Sequence, residues 1–437
     1  MNVLITTQNA HGLVPLASST VPALSPWFLS HAAAPPDLIV IGLQELSENW
    51  DLQLFAPTLR IDELVRLHLP STLLQRALIL YYAACAALYT WLEYLIPKSN
   101  LRWMLIRLIW PPLYLKMMSN FILSQWQQEL QKAIEHQYPA VPYTCMVKEA
   151  YGNLGLFVFH RSDSQWQSLN IKIGSLSVSP WFSNKGALAA EFIFKADDTI
   201  QQLTFVNAHL PAHEGQVKAR NEAAKHILKQ LLVFDDQHSH ALNLEQSLFF
   251  FGDLNYRLDL SRDEFKRMFA QNQDDLDGYR MLEHDELRKI MKSSLSVYSG
   301  LKEAHIQFPP TYKLQQTSHR SDEPFSIEHV DLHAYKWKRR LPAWCDRILY
   351  SSISDRIHTD KYRVTERALM SDHDAVQGHF VVQPSKVASP QEGVSFVVKE
   401  QYMQQAITQT LFQHLVFVLR LLMLVFLVRF LFQRVPI

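Results

Sequence analysis

The chain has 437 residues, with 42 Lys+Arg against 42 Asp+Glu, a formal net charge of +0 and 48% apolar residues. That length and apolar share suffice for a sizeable core, and the neutrality excludes a protein that holds nucleic acid mainly by phosphate neutralisation. Cys85, Cys145 and Cys345 lie far apart with no CxxC, which excludes a disulfide framework and a cysteine zinc site.

From the N-terminus, Met1 to Gly12 has no basic head followed by an apolar core, so no secretory signal is expected there and the body of the chain reads as cytosolic. Short apolar runs that end in polar residues recur: DLIVIGLQE, GLFVFH, ALAAEFIF, LTFVNAHL, SLFFFGDLNYR and WCDRILY. These read as strands with their chemistry at the strand ends. Helical periodicity at Gln216 to Phe234 and Ser261 to Ala270 makes the fold class α/β, with strand direction left open.

The first two polar ends are Asn9 in ITTQNAHG and Glu45 in IVIGLQE. Their oxygens are hard ligands of the kind Mg2+ prefers, although a glutamate ending a strand is commonly just solvated. Residues 69–123 break the pattern. Ala77 to Ile96 is apolar apart from an acidic Glu93, and a second apolar stretch, Leu101 to Leu115, carries Arg102 and Arg107 before Pro111 and Pro112 interrupt it. A buried helical pair is the favoured reading of this hydrophobic helical insertion, with a membrane-contacting insertion as the alternative.

Further on, Lys185 in PWFSNKGA and His209 and His213 in FVNAHLPAH are candidate donors to phosphate oxygens. In FGDLNYR an apolar strand runs into Asp253, with Asn255 two residues later. If strand geometry continues, both side chains face one space, where the carboxylate orients a water or accepts its proton and the amide donates to a phosphoryl oxygen. Taken alone, an aspartate after glycine is more often a turn or cap. PAWCDRILY offers Asp346 and SDHDAV offers Asp372 as carboxylate partners for His373. Neighbours on an extended chain point oppositely, so Asp346 is the better partner and Asp372 is freed for another task, such as a metal. Cys345, with no histidine near it in sequence, reads as packing.

Gln383 to Gln405, with its Pro, Ser and Gly, reads as a linker covering 383–405. Beyond it, the 18 residues Leu415 to Phe432 include 16 apolar ones, interrupted by Arg420 and Arg429. Nine residues apart on a helix, these arginines lie on opposite faces, which argues against an interfacial amphipathic helix and for a C-terminal transmembrane helix within 411–437. So few residues follow the apolar run that insertion is expected after translation, with the large domain, 1–382, left in the cytosol.

Seven blocks, GLQE, NKGA, NAHLPAH, GDLNYR, PPTYK, PAWCDRIL and SDH, together resemble the inositol polyphosphate 5-phosphatases, within the wider deoxyribonuclease-like fold. The resemblance covers about Asn2 to Val382 and is similar, with its apolar tail, to a fungal branch anchored in the endoplasmic reticulum. It implies a two-sheet β-sandwich flanked by helices, Mg2+ dependence, and removal of the 5-phosphate of phosphoinositides or inositol phosphates, with phosphatidylinositol 4,5-bisphosphate at a membrane as the substrate that the fungal branch implies.

Carried over block by block, it implies that Glu45 binds metal with Asn9 beside it and Asp372 nearby, and that Asp253 and Asn255 position the attacking water and the phosphoryl group. It further implies that Asp346 and His373 act as a pair, that His209 binds the scissile phosphate and that Lys185 is the NKG lysine. Tyr312, Lys313 and Arg347 would form the site for the neighbouring 4-phosphate. Gln8 stands where a tryptophan is usual, and Asp374 and Ala375 replace the usual lysine and proline after SDH, which predicts loss of a positive contact at the rim. A sphingomyelinase-like phosphodiesterase or a nuclease would share the fold, and a non-enzymatic membrane adaptor would share the tail; PPTYK and CDRIL favour the phosphatase.

Overall fold

The structure, a computed structural model, describes residues 1–12, 34–46, 111–178, 185–231, 247–269, 275–293, 296–315, 327–328, 330–351, 355–365 and 371–384. The chain divides into two units, one of Met1–Trp50, Ile122–Ser179 and Ser183–Val397, the other of Asp51–Phe121, Pro180–Phe182 and Val398–Ile437. Of the second unit only Pro111 to Phe121 is described, as the start of a helix. The expected insertion up to residue 110, all but Gln383 and Pro384 of the linker, and the anchor at 411–437 lie outside the described residues. Among the described residues no helix is long and apolar enough to cross a membrane.

Two six-stranded sheets carry the first unit. One has the order β13 (Ile357–Val364), β14, β1, β2, β4 (Leu154–Arg161), β3 (Tyr143–Tyr151), the other β10 (Leu301–Glu303), β12, β8, β7, β6, β5 (Gln167–Ser177). The strands that matter for the site are β1 (Asn2–Asn9), β2 (Leu38–Gln44), β6 (Gly186–Ala196), β7 (Thr199–His209), β8 (Ser247–Asp253), β12 (Asp346–Ser351) and β14 (Val376–Val382). Each sheet holds one parallel pair, β1 with β2 and β7 with β8, and the rest of each ladder is antiparallel. β2 and β8 are buried along their whole length, as their unbroken apolar runs require.

The two sheets meet through aliphatic and aromatic side chains. Val3, Ile5, Val40 and Val158 come from one, and Leu188, Phe192, Phe205, Phe249 and Phe251 from the other. Phe380 of β14 reaches across to Phe249 of β8, with ring centroids 5.0 Å apart. Polar groups also bridge the layers. Asn207 of β7 donates to the carbonyls of Leu43 (3.0 Å) and Gly155 (2.8 Å) and accepts from Gln44 Nε2 at 2.6 Å. Such buried amides are stable only when satisfied, so this network fixes how the strand ends face one another.

Among the described residues there are five α-helices: α1 (Pro111–Gln137), α2 (Val217–Leu231), α3 (Arg262–Phe269), α4 (Gly278–Leu282) and α5 (Glu286–Met291). Pro111 and Pro112 open α1, where a missing N–H costs nothing. The α/β two-sheet architecture flanked by helices is as expected.

Candidate active site

Register places the site. His209 pairs with Asp253 across the parallel β7–β8 ladder, and Asp253 pairs with Asp346 across the antiparallel β8–β12 ladder. Three side chains from distant parts of the sequence thus stand in a row at one edge of the second sheet. Gly186, opposite His209, starts β6 and puts Lys185 beside it. In the first sheet Asn9 pairs with Gln44, so Asn9 and Glu45 leave their strands together, while His373 and Asp372 precede β14.

The backbone here is sharply bent. His11, Glu45 and Asn255 all have positive φ, at 48°, 51° and 57°. Non-glycine residues seldom adopt this conformation, and its concentration here is the kind of strain that functional sites retain. Gly252, before Asp253, has φ 137°, and a Cβ there would lie 1.9 Å from the Ala208 carbonyl oxygen. Only glycine lets β8 deliver Asp253 beside β7.

Asp253 is buried. Its Oδ2 accepts from Asn9 Nδ2 at 3.0 Å and stands 3.2 Å from His209 Nε2, while its Oδ1 accepts the Asn255 N–H at 3.0 Å. Asp253 and Asn255 therefore meet through a turn that closes back on the carboxylate; the strand geometry expected from their spacing stops at Asp253. Burial works against ionisation of Asp253, but His209, His373 and Lys185 around it hold its carboxyl well below the usual range. Asn255 Nδ2 donates to Leu210 O at 3.1 Å, and Oδ1 accepts from Arg257. A guanidinium can only donate, so Arg257 fixes which end of the amide is which.

His373 Nδ1 lies 2.8 Å from Asp346 Oδ2, which also accepts from Thr311 Oγ1 at 2.7 Å. Asp372 is on the far side of the ring, its Oδ1 3.9 Å from Nε2. Burial opposes the charged imidazole, yet Asp346 and Asp253 raise His373 to about 9. Burial also pushes the Asp346 carboxyl up, to about 6, so at neutral pH the pair is carboxylate and imidazolium. His209 behaves oppositely: burial and then the neighbouring Lys185 push it down, burial likewise pushes Lys185 down, and the two make a short contact.

Glu45 and Asp372 face His11, whose Nδ1 is 3.7 Å from Glu45 Oε2 and 3.3 Å from Asp372 Oδ1. Both carboxyls are held below their usual range despite burial, Glu45 first by the nearby His11 imidazole, Asp372 first by His373. A hard divalent cation fits this donor set. Glu45, Asp372 and the Asn9 amide offer oxygens, Asp372 Oδ1 is buried with no hydrogen-bond partner, and the carboxylates of Glu45, Asp253, Asp346 and Asp372 would otherwise repel a phosphate. Asp253, Asp346 and His373 also bring ligand atoms within 4.8 Å of one another, but a cation there would break the Asp346–His373 hydrogen bond, so Glu45 and Asp372 are the better pair.

Tyr312 packs its ring 4.6 Å from that of His373, with the Arg257 guanidinium 4.3 Å from the Tyr312 centroid on this platform. Lys313 Nζ pairs with Asp372 Oδ2 at 2.6 Å. His213 is on an exposed turn, its Nδ1 3.5 Å from Arg340, with no contact to the cluster among the described residues.

Two expectations are corrected. Arg347 does not face a substrate: it is fully buried, held by Asp285 through 2.9 and 3.0 Å contacts and by Glu303, because β12 alternation turns it away from Asp346. Asp374 and Ala375 are buried too, with Asp374 N–H donating to Thr311 O at 2.9 Å, so in this chain neither lies at a rim. Sequence reasoning passed over His11, Arg257 and Thr311. Arg257 and Thr311 lie inside GDLNYR and PPTYK, where their membership of a block was the signal; His11 had only its place after Asn9.

The chain is similar to known proteins in sequence and in fold. The family model described as Endonuclease/Exonuclease/phosphatase family 2 matches residues 7–379, and the chain belongs to that family. It is 26% identical over 271 residues to phosphatidylinositol 3,4,5-trisphosphate 5-phosphatase 2A of Danio rerio, covering 59% of this chain and 20% of that protein. It is 29% identical over 222 residues to type I inositol polyphosphate 5-phosphatase 2 of Arabidopsis thaliana, covering 48% of this chain and 31% of that one. The chain thus matches about a fifth to a third of the length of these curated relatives. In fold it is similar to the inositol polyphosphate 5-phosphatase domain of spsynaptojanin, solved with inositol (1,4)-bisphosphate and calcium, with a TM-score of 0.56, 17% identity, and 95% and 91% of the two chains covered.

Proposed function

We propose that this member of the endonuclease/exonuclease/phosphatase family is a phosphoinositide 5-phosphatase that hydrolyses phosphatidylinositol 4,5-bisphosphate to phosphatidylinositol 4-phosphate and phosphate. The observation that carries the reading is the row His209–Asp253–Asp346 with His373 bonded to Asp346. The named 5-phosphatase relatives support the reaction class.

The residues divide the work. Asp253, ionised and oriented by Asn9 and Asn255, aligns a water for in-line attack on phosphorus and takes its proton as the new P–O bond forms. The bond to the inositol oxygen breaks; the hydroxyl ends on phosphorus and the proton on the inositol oxygen. The His373 imidazolium, kept charged by Asp346, faces the phosphoryl oxygens, and Lys185 and His209 offer further N–H donors beside it. Asn255 contributes an amide N–H to the same oxygens. Glu45 and Asp372, with Asn9, would hold Mg2+, which when bound supplies positive charge to the phosphoryl oxygens. Tyr312 and Lys313 flank His373 and Asp372, a position suited to the neighbouring 4-phosphate.

The apolar run within 411–437 is proposed as an anchor in an internal membrane, the endoplasmic reticulum by family resemblance, with the catalytic unit on the cytosolic side. The test is phosphate release from phosphatidylinositol 4,5-bisphosphate and from the 3,4,5-trisphosphate with Mg2+ and with chelator. Mg2+-dependent release from the bisphosphate with loss of the 5-phosphate supports the reading; no release from either lipid would sink it.

A further inference from the structure

His11 is the residue that neither the reaction nor the block pattern explains. It follows β1 at φ 48°, and two contacts fix its turn: its N–H donates to Asn9 Oδ1 at 3.0 Å, and the Gly12 N–H donates to Glu45 O at 2.7 Å. The turn aims Nδ1 between two carboxylates from different segments, 3.7 Å from Glu45 Oε2 and 3.3 Å from Asp372 Oδ1. Asp372 itself is 3% exposed, and its Oδ1 accepts no hydrogen bond. A buried carboxylate oxygen left without a donor marks a place where another positive group belongs.

Building on the divalent site proposed above, we propose that His11 Nδ1 is a ligand of that cation, making the donor set mixed, with Glu45 and Asp372 oxygens and one imidazole nitrogen. Binding replaces its carboxylate contacts with a shared bond to the ion and draws the Glu45 and Asp372 oxygens together about it. The consequence is selectivity. Mg2+ takes oxygen ligands and gains little from an imidazole, whereas first-row transition ions accept nitrogen readily. Relative to an oxygen-only site, this one therefore favours Mn2+ over Mg2+.

The test uses the full chain, Mn2+ as paramagnetic probe, and His11→Asn and His11→Gly, residues that tolerate φ 48° and so keep the turn. Electron spin-echo spectra of the Mn2+-loaded protein should show 14N modulation from a bound imidazole, absent in both variants. His11→Gly should weaken Mn2+ binding by about tenfold and Mg2+ binding much less. Nitrogen modulation that persists in both variants, or wild-type protein that binds Mn2+ without modulation, would overturn the role of His11 alone. Glu45→Gln is the control: unchanged Mn2+ affinity in it, or no Mn2+ binding by the wild type, would instead remove the divalent site and this inference with it.

Discussion

Asp346 Oδ2 and His373 Nδ1 lie 2.8 Å apart in a buried pocket, the carboxylate from the first residue of β12 and the imidazole from the segment before β14. Thr311 holds the same oxygen at 2.7 Å, so the carboxylate is oriented from both sides. The pair joins the two sheets at the edge where Asp253 and Glu45 also emerge.

This pairing sets a pH dependence. A histidine raised to about 9 from its ordinary 6.5 stays charged through neutral pH, so its contribution to stability is fully present below 6.5 and is lost as pH rises through about 9. Activity that needs the imidazolium should fall on that alkaline limb. In Asp346→Asn the limb should move toward neutral pH and the maximal rate should drop by roughly 100-fold or more. The pH–rate profile of both proteins measures this; an unmoved limb would show that His373 is not the group.

Arg347→Ala should damage stability without altering substrate preference. It leaves Asp285 and Glu303 without their buried cation, at a cost of about 3–5 kcal/mol in chemical denaturation. Arg347→Lys should rescue only part, because one ammonium cannot serve both carboxylates as the guanidinium does. A stable Arg347→Ala protein with altered 4-phosphate preference would restore the role expected from the sequence.

Lys313→Ala is expected to slow hydrolysis of phosphatidylinositol 4,5-bisphosphate more than hydrolysis of a 5-phosphate substrate lacking the 4-phosphate. Because Lys313 also pairs with Asp372 at 2.6 Å, a smaller loss common to both substrates is expected beneath the selective one. Comparing kcat/KM on the two substrates separates these; equal losses would assign Lys313 to holding Asp372 only.

Truncation should fall after Pro384, because the Gln383 N–H donates to Arg356 O and Val382 N–H to Met1 O. The shortened protein is expected to keep activity on short-chain soluble substrate and to lose it on bilayers. If it remains with membranes after carbonate extraction, residues 69–123 contain a second anchor.

The strands with unbroken apolar runs were legible in the sequence because burial on both faces leaves no other composition. β3 (Tyr143–Tyr151) and β13 (Ile357–Val364) were not, since they lie at sheet edges and carry mixed polar side chains. The Asp346–His373 pairing followed from strand geometry, because neighbours on an extended chain point apart. The same alternation, applied one residue further along β12, would have turned Arg347 inward; the block resemblance named the position but not its direction. His11 was hidden because its role depends on a turn and on Asp372, 361 positions away, which no local pattern encodes.

The central claim is that Asp253, held by Asn9, Asn255 and His209, drives removal of a 5-phosphate. The most direct measurement is release of phosphate from phosphatidylinositol 4,5-bisphosphate by wild-type protein and by Asp253→Asn, with the remaining phosphate position identified on the product. The account predicts Mg2+-dependent formation of the 4-phosphate product by the wild type and a loss of roughly 1,000-fold in the folded variant. Near-normal release by the folded Asp253→Asn protein, or a product retaining its 5-phosphate, would contradict it.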